Sequence, residues 1–150
     1  MKVGPGAVVF TDLVGFTAFT AAQGDAAALQ LLGIQDRLVR AALPDGARVV
    51  KELGDGLLLW FPEAALAMRS CLDLLVAFDV AAETEELPLW VRIGAHWGSP
   101  ARRGDDIVGH DVNVAARIVD VSAPGELLCS AAVADAARAG PTGAGPSGAG

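Results

Sequence analysis

Residues 48–61 read RVVKELGDGLLLWF. Arg48 to Leu53 and Leu57 to Phe61 are two strand-like runs, rich in β-branched and aliphatic residues. Gly54-Asp55-Gly56 between them has the chemistry of a tight turn, so the stretch predicts a β-hairpin.

Upstream, Ala7 to Thr11 (AVVFT) is another short buried strand after a Gly4-Pro5-Gly6 lead-in, and Asp12 ends it. Gly15-Phe16-Thr17 opens a helical stretch. From Asp25 to about Leu43, Leu29, Leu32, Leu38 and Val39 recur at near-helical spacing, with Asp25 as N-cap and Pro44-Asp45-Gly46 as stop. Downstream, Pro62 introduces a long helix over 63–82, and Leu89 to Ala95 forms a strand. Arg102 to Asp106 reads as a polar loop and Gly109 to Val121 as a helix. Glu126 to Ser130 gives a last strand and Ala131 to Arg138 a short helix. The order is β-α-α-β-β-α-β-α-β-α, an α/β (α+β) sandwich of helices on a mixed sheet, with Asp12 at a strand end and Asp55 at an edge turn. Residues 1–139 form one domain. Residues 140–150, rich in Gly, Pro and Ala, are expected to be a disordered tail.

Composition narrows the functions. A hydrophobic fraction of 53% against 19% charged residues indicates a globular chain. With 18 acidic and 11 basic residues the net charge is −7, which argues against broad nucleic-acid binding. No apolar run is long enough to span a bilayer and no secretory leader is visible, so a soluble, cytoplasmic domain is expected. Cys71 and Cys129 both sit in apolar runs and read as inert core thiols. His96 reads as structural, and neither His96 nor His110 has metal-ligand spacing with another His or Cys. The three Trp residues flank strands as core or interface material.

The polar residues that remain carry the chemistry. Asp12 precedes a helix start, where it serves either as a cap or as a ligand for a divalent cation beside free N–H groups able to cradle phosphate. Asp55 is either a turn residue or the second carboxylate of a two-metal phosphoryl-transfer site. Lys51 lies in the strand four residues before it. Asn113 and Arg117, at i and i+4, share one helix face downstream of Asp106. An asparagine there suits ribose hydroxyls and an arginine suits charge on a phosphate.

The ordered segments AVVFTDLVGFT, KELGDGLLLWF, RIGAHWG and DDIVGHDVNVAARIVDVSAPGELLCS resemble the catalytic domain of class III nucleotidyl cyclases, the adenylyl and guanylyl cyclases. The resemblance covers roughly residues 7–130. It implies a ferredoxin-like, palm-type fold with a mostly antiparallel sheet. It further implies that Asp12 and Asp55 bind two Mg²⁺ or Mn²⁺ ions per active site, while Gly15, Phe16 and Thr17 bind substrate phosphate. Lys51 and Asp106 match the base-selecting pair and suit adenine, whereas guanylyl cyclases tend to carry Glu and a small residue there. Asn113 matches the residue that orients ribose, and Arg117 the one that stabilises the transition state. The implied activity is conversion of ATP to 3′,5′-cyclic AMP and pyrophosphate in intracellular cyclic-nucleotide signalling. The site lies across a homodimer interface, with the aspartates from one chain and the other four residues from its partner. The alternatives are a regulatory dimerisation module that binds nucleotide without turnover, and a guanylyl cyclase. The family's C-terminal hairpin, whose lysine commonly contacts the triphosphate, has no counterpart after Arg138, nor is there a basic residue near Glu126.

Overall fold

The computed structural model describes residues 4–140. It contains strands β1 (Gly6–Leu13), β2 (Arg48–Leu53), β3 (Gly56–Phe61), β4 (Val91–Gly98), β5 (Ala101–Arg103), β6 (Asp106–Val108) and β7 (Leu127–Cys129). The helices are α1 (Phe16–Gln23), α2 (Asp25–Ala42), α3 (Ala64–Glu83), α4 (His110–Val121) and α5 (Ala131–Ala139). Five strands form one sheet in the order β2-β3-β1-β4-β7, antiparallel except for the β4–β7 pair. The expected α/β architecture and mostly antiparallel sheet are thus present, and the expected tail lies outside the described residues apart from Gly140.

Strand alternation explains the layers. Ala7, Val9 and Leu13 of β1 join Leu57, Leu59 and Phe61 of β3 in a core under α2, α3 and α5, reaching Leu31, Val39, Leu74, Phe78 and Val133. The opposite parity, Val8, Leu58 and Trp60, meets Ile107 and Ala115 in a smaller cluster under α4 and β6. Truncating a side chain as enclosed as Leu59 costs about 2–5 kcal/mol. Asp12 has the parity of Val8 and therefore emerges on the α4 side.

Two glycines fix the approach of elements that carry polar residues. A Cβ on Gly56 would stand 2.1 Å from the Thr11 carbonyl oxygen, so only glycine lets the β2–β3 turn lie against β1 beside Asp12. A Cβ on Gly94 would meet the Val119 nitrogen at 2.4 Å, so β4 admits α4 only at a glycine. α4 thereby presents its Asn113 and Arg117 face outward.

Three local expectations change. Arg102 to Asp106 is not an open loop: β5 and β6 pair across a Gly104-Asp105 turn, Arg103 opposite Asp106. The polar composition hid this because the hairpin buries little besides Ile107. Asp25 is the first residue of α2; Gly24 occupies the cap position, and no side chain caps the helix. Cys71 is buried, its thiol pushed up to about 12 by desolvation, but Cys129 is exposed on edge strand β7 and is no core thiol. Trp60 is core, whereas Trp90 precedes β4 and is largely exposed.

Candidate active site

Asp12 and Asp55 meet in a cleft of about 690 Å³. Its lining also includes Gly15, Phe16, Thr17 and Arg92. Asp12 is the penultimate residue of β1, and Asp55 sits in the turn that Gly56 packs against Thr11. The turn is pinned by the Leu57 N–H, which donates to Thr11 Oγ1 at 3.2 Å. A cap role for Asp12 is not seen: α1 is preceded by Gly15 in a left-handed conformation, with no side-chain cap. The first-turn N–H groups of α1 are left without helical partners at the cleft wall, where they favour anions.

The cleft carries surplus negative charge. Burial and the neighbouring Asp12 carboxyl push Asp55 up to about 6, and the positive charge of Arg92 pulls only partly the other way. Arg92 on β4 lies directly across from Asp12 on β1. Its Nε–H and Nη2–H both donate to Asp12 Oδ2, at 2.8 and 2.7 Å, and Nη1–H donates to the Asp120 carbonyl at 3.1 Å. Sequence reasoning missed Arg92. The available signal was a charged residue inside the otherwise apolar strand VRIGA, where an arginine needs a partner.

The other four expected polar residues lie outside that cleft. Lys51 Nζ donates to Asp106 Oδ2 at 2.8 Å, bridging β2 to β6. The Lys51 bond, helped by the Ile107 N–H, holds Asp106 below the ordinary carboxylate value. Arg48 strengthens this junction by donating to the Asp105 carbonyl at 2.9 Å. Asn113 and Arg117 are both exposed on α4, and among the described residues neither side chain makes a hydrogen bond. Lys51 and Asp106 are therefore brought together, while Asn113 and Arg117 are exposed on α4 and do not line the cleft.

His96 belongs to a separate clamp. Its Nδ1 lies 2.8 Å from Ser130 Oγ and its Nε2 3.0 Å from Asp111 Oδ1, joining β4 to α4 and to the start of α5. Asp111 Oδ2 also accepts the Ser99 N–H at 3.0 Å. Burial acts to raise Asp111, but the bonds from His96 and Ser99 outweigh it and hold the carboxyl low.

Among the described residues no three His, Cys, Asp or Glu side chains gather as a metal centre. Two converging carboxylates without a third still fit Mg²⁺ or Mn²⁺, which take one or two protein carboxylates and complete their shell with water and substrate phosphates.

The chain matches the model of the adenylate and guanylate cyclase catalytic domain over residues 2–142. It is 35% identical over 127 residues to an uncharacterised protein of Mycobacterium tuberculosis, covering 84% of this chain and 32% of that protein. It is 32% identical over 130 residues to an adenylate cyclase of Streptomyces coelicolor, covering 86% and 33%. The chain thus spans about a third of the length of these relatives. The crystal structure of the adenylyl cyclase CyaB from P. aeruginosa superposes with a TM-score of 0.81 at 22% identity, covering 93% of this chain and 82% of that one. The chain belongs to the family of adenylate and guanylate cyclase catalytic domains. No helix among the described residues is long and apolar enough to cross a membrane.

Proposed function

We propose that this domain converts ATP to 3′,5′-cyclic AMP and pyrophosphate at a site shared by two copies of the chain. The observation that carries the reading is the convergence of Asp12 and Asp55 in a cleft walled by the start of α1. The remaining four polar residues lie outside that cleft. A second copy related by a two-fold axis would supply them, giving two equivalent sites per dimer.

Asp12 and Asp55 would hold two Mg²⁺ or Mn²⁺ ions, which when bound activate the ribose 3′-hydroxyl and neutralise the triphosphate. The first-turn N–H groups after Gly15, at Phe16 and Thr17, cradle phosphate oxygens of the leaving pyrophosphate. In the partner's contribution, the Lys51 ammonium donates to adenine N1 and the Asp106 carboxylate accepts from the 6-amino group. Guanine presents the reverse pattern at both positions, so the pair favours ATP. Asn113 holds the ribose so that its 3′-oxygen faces the α-phosphorus. As the 3′-O–P bond forms and the α–β anhydride breaks, Arg117 meets the charge that builds on the α-phosphate. Among the described residues its side chain makes no hydrogen bond or ion pair, which leaves the guanidinium available for that role.

The test is cyclic-nucleotide formation by the purified chain with Mn²⁺, offered ATP and GTP separately, beside an Asp12→Ala control. ATP turnover that disappears in the control supports the proposal. A folded, dimeric protein without turnover would instead favour a nucleotide-binding module.

A further inference from the structure

α4 carries two exposed residues proposed to act on the partner's substrate, Asn113 and Arg117, and it meets β4 on either side of them. In its last turn Val119 lies against Gly94. In its first turn Asp111 lies against Gly98, where a Cβ would stand 2.2 Å from Asp111 Cγ. The Val119 contact is packing, which has no preferred direction. The Asp111 contact is made of directional bonds: Oδ1 lies 3.0 Å from His96 Nε2, and Oδ2 accepts the Ser99 N–H at 3.0 Å. Rotation of the helix about its own axis is therefore set at the Asp111 end.

The imidazole of His96 is the centre of that contact. Ser130 is the N-cap residue of α5, where a serine hydroxyl ordinarily accepts from its own helix. It makes no such bond, and its Oγ lies 2.8 Å from His96 Nδ1 instead. An ionised carboxylate only accepts, so Nε2 carries a hydrogen toward Asp111, and in the neutral ring Nδ1 accepts from the Ser130 hydroxyl. One ring thus ties the starts of two helices to β4 through its opposite nitrogens. The side chains are enclosed, with relative exposures of 13% for His96 and 26% for Asp111, which limits competition from water.

We infer that His96 is a positioning residue for α4, setting through Asp111 the aim of Asn113 and Arg117 at a nucleotide held by the partner chain. The inference rests on the proposed sharing of each site between two chains. It assigns His96 to the half of the site that α4 supplies, although β4 also borders the cleft. Two substitutions divide the ring's bonds. His96→Asn keeps an amide near the place of Nδ1 and loses the reach to Asp111. His96→Gln puts an amide N–H near the place of Nε2 and keeps that reach. ATP turnover should fall by up to about 100-fold in His96→Asn, the scale of a displacement of about 1 Å in a group that must be aligned. In His96→Gln most of the turnover should remain. Thermal melts and size-exclusion chromatography check folding and dimerisation.

Mixed dimers supply a readout that a general loss of stability would not give. When His96→Asn is mixed with Asp12→Ala, one site of each mixed dimer joins an intact Asp12 to an unaltered α4. About a quarter of wild-type turnover should then return, because half of the dimers are mixed and each holds one intact site. Mixed with Arg117→Ala, the same variant should give nothing beyond its own residual rate, since both chains are impaired at α4. Recovery with Arg117→Ala overturns the inference, and so does failure to recover with Asp12→Ala in mixed dimers shown to form. Wild-type turnover in folded His96→Asn overturns it as well, as does a His96→Gln variant as slow as His96→Asn. If His96→Asn does not fold, Asp111→Ala breaks the same link from α4 and is carried through the same two mixtures. If Asp12→Ala and Arg117→Ala do not restore each other, the shared site fails first and the inference with it.

Discussion

The Asp12–Asp55 cleft and the Lys51–Asp106 junction stand at opposite electrostatic extremes within one sheet. In the cleft two carboxylates share one arginine, and the excess appears as a proton held on Asp55 up to about 6. At the junction one ammonium meets one carboxylate at 2.8 Å, and Asp106 is held low. Surplus negative charge in a partly enclosed cleft favours cations electrostatically. A balanced pair has no net charge to offer, but it presents one donor and one acceptor, which is what reading the edge of a neutral base requires. The difference separates a region suited to gathering charge from one suited to discrimination.

The strongest way to break that division is to remove a member of each group and mix the products. Asp12→Ala should reduce ATP turnover by more than about 100-fold, and Arg117→Ala by about 10²–10³-fold, judged against the loss of one transition-state donor. Arg117→Ala should leave the melting temperature nearly unchanged because Arg117 is exposed, whereas Asp12→Ala also takes the partner from Arg92 and should lower it. Mixed in equal amounts, the two inactive chains should regain roughly a quarter of wild-type turnover, because half of the dimers are mixed and each holds one intact site. Steady-state cyclic AMP formation after subunit exchange measures this. Absence of recovery in mixed dimers shown to form would place all six residues within one chain's site.

A smaller effect is expected at the junction, where a preference rather than the rate is altered. Lys51→Glu with Asp106→Cys reverses the donor and acceptor pattern and should shift the ATP-to-GTP ratio of kcat/KM at least about tenfold toward GTP. Competition assays with both nucleotides present give the ratio directly. Unchanged selectivity would remove the pair from base recognition.

Much of this organisation was legible before the fold was known, and the reasons are local. The run LLLWF read as a strand and GDG as the turn of a hairpin, so the position of Asp55 followed from chain chemistry. Asn113 and Arg117 share a face by helical geometry alone. The omissions are non-local. Arg92 acquires its meaning from β1, 80 residues earlier in the chain. The β5–β6 hairpin is held by Arg48 and Lys51 from β2 rather than by its own apolar content, so its polar sequence looked like loop. Cys129 lies in an apolar run yet is exposed, because β7 is an edge strand and periodicity does not tell edges from centres.

The smallest expected effect probes the cleft without any ligand, through the linkage between protonation and folding. Asp55 binds its proton more tightly folded, near 6, than unfolded, near its ordinary value of 3.8. Its contribution to stability is therefore fully present below about pH 4 and is lost as pH rises through about 6, after which the penalty is constant. Asp55→Asn removes the ionisable group and the repulsion from Asp12 together. The variant should consequently gain on wild type as pH rises from 4 to 6 and keep that advantage at pH 7, in chelator-treated protein. Urea denaturation across this range measures the difference. Adding Mn²⁺ should reverse the order at pH 7, since a cation that binds only the folded wild type stabilises it by mass action. A flat difference between pH 4 and 6 would mean that the two carboxylates do not share their charge, and the contrast with the Lys51–Asp106 junction would lose its electrostatic basis.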